Sequence, residues 1–156
     1  MNWQEICEHP DLQNLPFKIE MNERGQILMS PVKVYHSAFQ GKIAALLYLH
    51  IGNGEVLAEC AIQTRLGTKV ADVAWCSIDR FAIVKSESEC SIAPEICVEV
   101  LSESNTSLEM NEKKQLYFTH GALEIWICDA YGCVKFHDKN GELDASSIAP
   151  NFPRKI

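Results

Sequence analysis

Residues 94–117 read P-E-I-C-V-E-V-L-S-E-S-N-T-S-L-E-M-N-E-K-K-Q-L-Y, and the two halves of this run have different periods. In the first half Ile96, Val98 and Val100 alternate on one face of a strand, while Glu95, Cys97, Glu99 and Leu101 fall on the other. Carboxylates in so apolar a strand are costly to bury unless a cation meets them. S-E-S-N is a turn signal, and Thr106 followed by Glu109 has capping-box spacing, which predicts a helix from about Ser107. At about 100° per residue, Leu108, Met110, Leu116 and Tyr117 spread over one broad face of that helix. Lys113 projects near the middle of the face and Lys114 lies at its edge. Two readings of Lys113 stand side by side: a cation brought to the carboxylates of the strand, or a lysine snorkelling past apolar neighbours to water. Lys114 fits ordinary surface.

Upstream, Glu55–Thr64 and Lys69–Ser77 read as two strands joined by the turn L-G-T-K. In the second, Val70, Asp72, Ala74 and Cys76 share a face, and Asp72 is the only charge within V-A-D-V-A-W-C. Taken alone, such an aspartate is most often salt-bridged or near a turn. Residues 78–85 suggest a helical turn, followed by the polar loop S-E-S-E-C-S. Earlier still, Phe17, Ile19 and Met21 alternate, N-E-R-G reverses the chain, and Q-I-L-M-S completes a hairpin closed by Pro31. A helix then runs from about Tyr35 or His36 to Ile51, with Phe39, Ile43, Leu46, Leu47 and His50 on one face and G-N-G ending it. Residues 1–14 form a polar lead with a helical turn around Trp3, Ile6 and Cys7. Downstream, Gly121 breaks the chain, L-E-I-W-I-C-D is a strand, and V-K-F-H pairs with it across A-Y-G-C. Residues 142–156 read as a loosely structured tail with Phe152 docked on the body. The order implies one domain over residues 1–156, of α/β (mixed α+β) class, with a central mixed sheet flanked by helices.

Composition narrows the setting. Hydrophobic residues make up 47% and charged residues 22% of 156, which is ordinary for a globular domain. The formal net charge of −7 argues against a general nucleic-acid coat. It leaves a nuclease open, because metal ions and a few local lysines can supply positive potential where phosphate sits. Seven cysteines contain no C-x-x-C pair, and Cys76, Cys97 and Cys128 lie in apolar strand patterns, where cysteine acts as a small hydrophobe. Cys128 and Cys133 flank a turn, the one place where a disulfide or metal could be sought. This usage is expected of a reducing, cytoplasmic setting. No signal peptide and no membrane span is expected. G-x-S-x-G, H-E-x-x-H and phosphate-binding glycine loops are absent.

V-E-V-L-S-E-S-N-T, the lysine that follows, L-Y, and G-A-L-E-I-W-I-C-D together resemble the Uma-type family of proposed bacterial endonucleases. That family lies within the restriction-endonuclease-like PD-(D/E)XK superfamily. M-S-P with His36, V-A-D-V and N-F-P extend the resemblance over most of the chain. It implies a metal-dependent endonuclease acting on DNA and leaving a 5′-phosphate, with Mg²⁺ (or Mn²⁺) as cofactor. The implied catalytic residues are Asp72, Glu99 and Lys113, with the backbone carbonyl of Val100 as a further metal ligand. Phosphodiester hydrolysis suits such a set, since two carboxylates can share a hard cation and a lysine can orient water and offset charge. The sequence departs from the superfamily pattern at Ala71, where a proline is expected, and at Leu101, where a lysine is expected. The first helix carries no glutamate, leaving His36, Gln40 or Glu20 to complete the site. Glu95 competes with Glu99 for the metal, and Glu99 is preferred because it matches the motif position. Lys114 remains a secondary candidate. Asp72 and Glu99 are expected on adjacent strands with carboxylates close enough to share one ion. A non-catalytic module that keeps the nuclease fold to bind nucleic acid or protein is the alternative, and a homodimer is left open.

Overall fold

Gly67 lets the two longest strands, β3 (Gly54–Thr64) and β4 (Gly67–Ser77), reverse tightly. Its φ is +86°, and a Cβ there would collide with the Met21 carbonyl of the preceding hairpin, so only glycine serves. The computed structural model describes residues 1–156. Around β3 and β4 the chain builds a six-stranded sheet in the order β3-β4-β5-β6-β7-β8, adding β5 (Ile96–Val100), β6 (Glu124–Cys128), β7 (Val134–Asp138) and β8 (Gly141–Leu143). All neighbours are antiparallel except β5 and β6, which are parallel because helix α4 (Ser107–Thr119) carries the chain back between them. A separate two-stranded sheet, β1 (Phe17–Met21) with β2 (Ile27–Pro31), precedes it.

Two cores lie on the two faces of the large sheet. Helix α2 (Val34–His50) buries Ile43 and Leu47 against Val73, Val98, Trp126 and Phe136. On the other face α4 places Tyr117 against Ala74, Cys97 and Ile125, next to Val84 from helix α3 (Ile78–Val84). All five residues of β5 are buried, which is why the strand reads as almost continuously apolar and why Glu99 within it needs partners. A third, smaller core joins helix α1 (Trp3–Glu8) to the hairpin, with Trp3 and Ile6 packed on Val70, Ile19 and Met21.

Most predicted elements are present, with shifted ends. Helix α2 starts at Val34, slightly ahead of expectation, and α4 starts at Ser107 with Thr106 Oγ1 accepting the Glu109 amide. Leu108, expected on the buried face of α4, lies in the first turn of the helix and is 80% exposed. The tail is more ordered than its composition suggests. Residues 141–143 add an edge strand, the Val134 amide donates to Arg154 O, and Phe152 is buried beside Trp126. Its anchor is Glu124, a buried carboxylate that accepts from Trp126 Nε1, Ser146 Oγ and the amides of Ser147 and Ile148. All seven cysteines are free, so Cys128 and Cys133 form no disulfide. No helix is long and apolar enough to cross a membrane.

Candidate active site

The ladder between β4 and β5 ends at Val73 and Val98. One step beyond, where the strands part, Asp72 and Glu99 stand side by side on the face that α4 covers. Asp72 Oδ2 accepts the Val100 amide at 2.7 Å, so the carboxylate fills the place of the missing ladder bond. On the other side of Asp72, the β3–β4 pairing skips Glu59, whose φ of 51° is left-handed and strained for a non-glycine residue. Asp72 and Glu99 are 1% and 3% exposed.

Four groups surround these carboxylates. Lys113, from the buried face of α4, donates to Glu20 Oε1 at 2.8 Å and reaches both oxygens of Glu99 at 3.4 Å. Tyr117, one turn further along, donates to Glu99 Oε1 at 2.7 Å. His36, from the first turn of α2, places Nε2 3.3 Å from Asp72 Oδ2. Lys18, from β1, donates to Asp72 Oδ1 at 2.9 Å and to Glu99 Oε2 at 3.4 Å. The six residues Lys18, Glu20, His36, Asp72, Glu99 and Lys113 line a narrow cleft of about 40 Å³.

The electrostatics follow from this packing. Burial raises the Glu99 pKa above the ordinary carboxylate value, and the opposing pull of Lys113 and Lys18 does not cancel it while Asp72 and Glu20 stand near. For Asp72 burial acts the same way, but the His36 hydrogen bond and the Lys18 charge win and hold its carboxyl low. Glu20 is likewise desolvated, yet Lys113 and Lys18 bring it below its ordinary value. Burial pulls the Lys18 pKa down, but Glu99, Asp72 and Glu20 outweigh it and carry the pKa well above the usual lysine range. Burial and the Glu99 charge keep the Tyr117 hydroxyl protonated, so it acts only as a donor toward Glu99.

The expected residues thus divide. Asp72, Glu99, Lys113, Glu20 and His36 come together, and Val100 lines the same cleft. Gln40 approaches only from behind, donating to the Asp72 backbone carbonyl at 3.0 Å. Glu95 is a correction. It lies one residue ahead of β5 and faces α3, where its carboxylate takes the Ser77 amide and hydroxyl and stands 3.4 Å from Arg80 Nε. Lys114 is another: it lines a neighbouring groove of about 410 Å³ with Met110, Lys135 and His137. Lys18 was missed by the sequence reading. Its signal was present, since F-K-I-E puts Lys18 on the same strand face as Glu20. The Tyr117 hydroxyl was missed too, because an aromatic at a core position reads as packing.

No group of three His, Cys, Asp or Glu side chains is arranged to hold a metal ion. Two carboxylates do converge on one cation, the Lys18 ammonium. That all-oxygen pair fits Mg²⁺, which is commonly bound by one or two carboxylates, with waters and substrate phosphate completing its shell.

A mixed sheet flanked by helices, with paired carboxylates at a strand fork and a lysine from the crossover helix, defines a mixed α/β protein with a buried carboxylate–lysine site. A crystal structure from Anabaena variabilis ATCC 29413, described as a "putative nuclease belonging to DUF820", shares the fold with a TM-score of 0.72 and 19% identity over 96% of this chain and 91% of that one. The chain belongs to the Uma2 family, described as "Putative restriction endonuclease", whose model matches residues 3–145. Comparison with curated proteins finds no match.

Proposed function

We propose that the protein is a metal-dependent endonuclease that hydrolyses DNA phosphodiester bonds and leaves a 5′-phosphate. The observation that carries this reading is the convergence of Asp72 and Glu99 on one cation beside Lys113. Asp72, Glu99 and the carbonyl of Val100 would hold Mg²⁺ or Mn²⁺. Such an ion, when bound, neutralises phosphate charge and makes its water more acidic.

The remaining chemistry belongs to the chain. Lys113 has three donor protons and uses two on Glu20 and Glu99, which leaves one for the attacking water or a phosphoryl oxygen. Because Glu20 and Glu99 fix the ammonium in place, little reorganisation is needed when charge develops on the phosphate. Tyr117 orients Glu99 through Oε1, and the Val100 amide with His36 orients Asp72 through Oδ2. The Glu20 carboxylate also accepts the Val70 amide, which seats the hairpin against β4 and brings Lys18 and Glu20 over the fork.

The test is conversion of supercoiled plasmid to nicked or linear product with Mg²⁺ or Mn²⁺, using Asp72→Asn as control. Asparagine keeps an oxygen for the Val100 amide but not the charge. Ion-dependent cleavage by wild type and a loss of about 10²-fold or more in the variant are expected. Intact plasmid with every ion would leave a binding module that has kept the fold.

A further inference from the structure

Lys18 is the one side chain that hydrogen-bonds both Asp72 and Glu99. Counting the oxygens shows what it occupies. Asp72 Oδ2 is taken by the Val100 amide and His36, and Glu99 Oε1 by Tyr117, while Lys113 stands 3.4 Å from both Glu99 oxygens. The oxygens with the fewest other partners are Asp72 Oδ1, which meets Lys18 alone, and Glu99 Oε2, which Lys113 shares at 3.4 Å, and Lys18 Nζ already sits against both. An ion and this ammonium therefore compete for the same lone pairs.

The charge balance favours exchange over addition. Three carboxylates (Asp72, Glu99, Glu20) face two ammoniums (Lys18, Lys113), leaving one net negative charge. A divalent ion in place of Lys18 brings the group to neutrality, whereas one added beside it turns a buried group positive. The lysine also has somewhere to go. Lys18 borders an open cleft of about 290 Å³ lined also by Phe17, Ile19, Val70 and Glu59. Glu59 is exposed, carries a carboxylate, and stands on β3 beside Asp72 at the break in the ladder. Lys18 comes from the separate hairpin sheet, so its movement leaves the six-stranded sheet untouched.

We infer that Lys18 is a built-in placeholder cation, which holds Asp72 and Glu99 together in the metal-free protein and sets the affinity for the divalent ion that displaces it. The inference rests on the metal-dependent reading above and deepens it. Lys18 is then a positioning residue, and removing it should tighten metal binding, the opposite of what loss of a supporting contact would do.

Calorimetric titration with Mn²⁺ or Mg²⁺ alone, without nucleic acid, tests this in wild type, Lys18→Met, Lys18→Arg and Asp72→Asn. Lys18→Met is expected to bind about tenfold more tightly or better, because the fraction of protein with free oxygens rises. Lys18→Arg keeps a competing cation and stays near wild type, and Asp72→Asn loses binding. Without metal, Lys18→Met should melt lower than wild type, since two buried carboxylates lose their partner. Should it fail to fold, Mn²⁺ is expected to restore the fold. Equal or weaker binding by Lys18→Met, or a misfolded variant that Mn²⁺ does not rescue, overturns the inference while binding by wild type keeps the metal-dependent reading. No binding by wild type overturns both.

Discussion

At the scale of single residues, the helix phase decides which of two adjacent lysines reaches the buried carboxylates. Lys113 and Lys114 point about 100° apart; the first is buried against Glu20 and Glu99 and the second faces the outer groove. Lys113→Met should lower cleavage by about 10²-fold or more, the scale of losing one positioned electrostatic group. It should also cost about 3 kcal/mol of stability, because Glu99 stays buried with one ammonium fewer and Glu20 loses its 2.8 Å partner. Lys114→Met should change stability by less than about 0.5 kcal/mol. Its loss of cleavage should be small and should shrink as salt rises, if the lysine meets phosphate. Denaturant melts and cleavage assays at two salt concentrations read all of this, and equal losses for both lysines would refute the assignment.

At the scale of elements, the groove between α4 and β7 supplies a pH prediction. His137 on β7 has its pKa lowered, first by burial and then by the charge of Lys114 across the groove, although Nδ1 stands 3.3 Å from the Ile125 carbonyl. Its folded value lies below the unfolded value of about 6.5, so between the two the unfolded chain binds the extra proton. Stability contributed by neutral His137 is therefore complete above that range and falls as pH drops through it. Proton NMR should place the imidazole midpoint below its ordinary position, and Lys114→Gln should move it upward; a midpoint at or above 6.5 in wild type would contradict the packing. The same elements show what the sequence made legible. β5 and α4 were readable because alternation, cap and helical period agree over one short run, and Asp72 and Glu99 were readable as charges inside apolar strands. Glu95 and Glu124 obey that same rule, yet they serve structure: Glu95 holds the start of α3 and Glu124 ties down residues 146–148. Their partners are amides and hydroxyls from distant segments, which no local pattern encodes. Lys18 escaped notice because the polar face of a two-stranded hairpin ordinarily meets water, and only the tertiary fold turns it onto the sheet.

At the scale of the whole molecule, the site is assembled from two sheets whose cores differ in size. Asp72 and Glu99 belong to the six-stranded sheet, which has a core on each face. Lys18 and Glu20 belong to the hairpin, which the small core around Trp3, Ile6 and Val70 holds in place. Trp3 is the largest member of that core, and its Nε1 also donates to Ser88 O at 3.0 Å, tying α1 to the loop before β5. A satellite core this small should open without unfolding the sheet, as sub-global units commonly do. Trp3→Ala should then speed amide exchange in residues 17–31 by about tenfold or more, a change of roughly 1.4 kcal/mol in local opening. Exchange in β4, β5 and β6 should stay at the wild-type rate. Cleavage should fall with it, because Glu20 no longer fixes Lys113, although Trp3 lines none of the narrow cleft. Acceleration spread evenly over the large sheet would mean that hairpin and sheet unfold as one unit, and the division of the site between two bodies would be wrong.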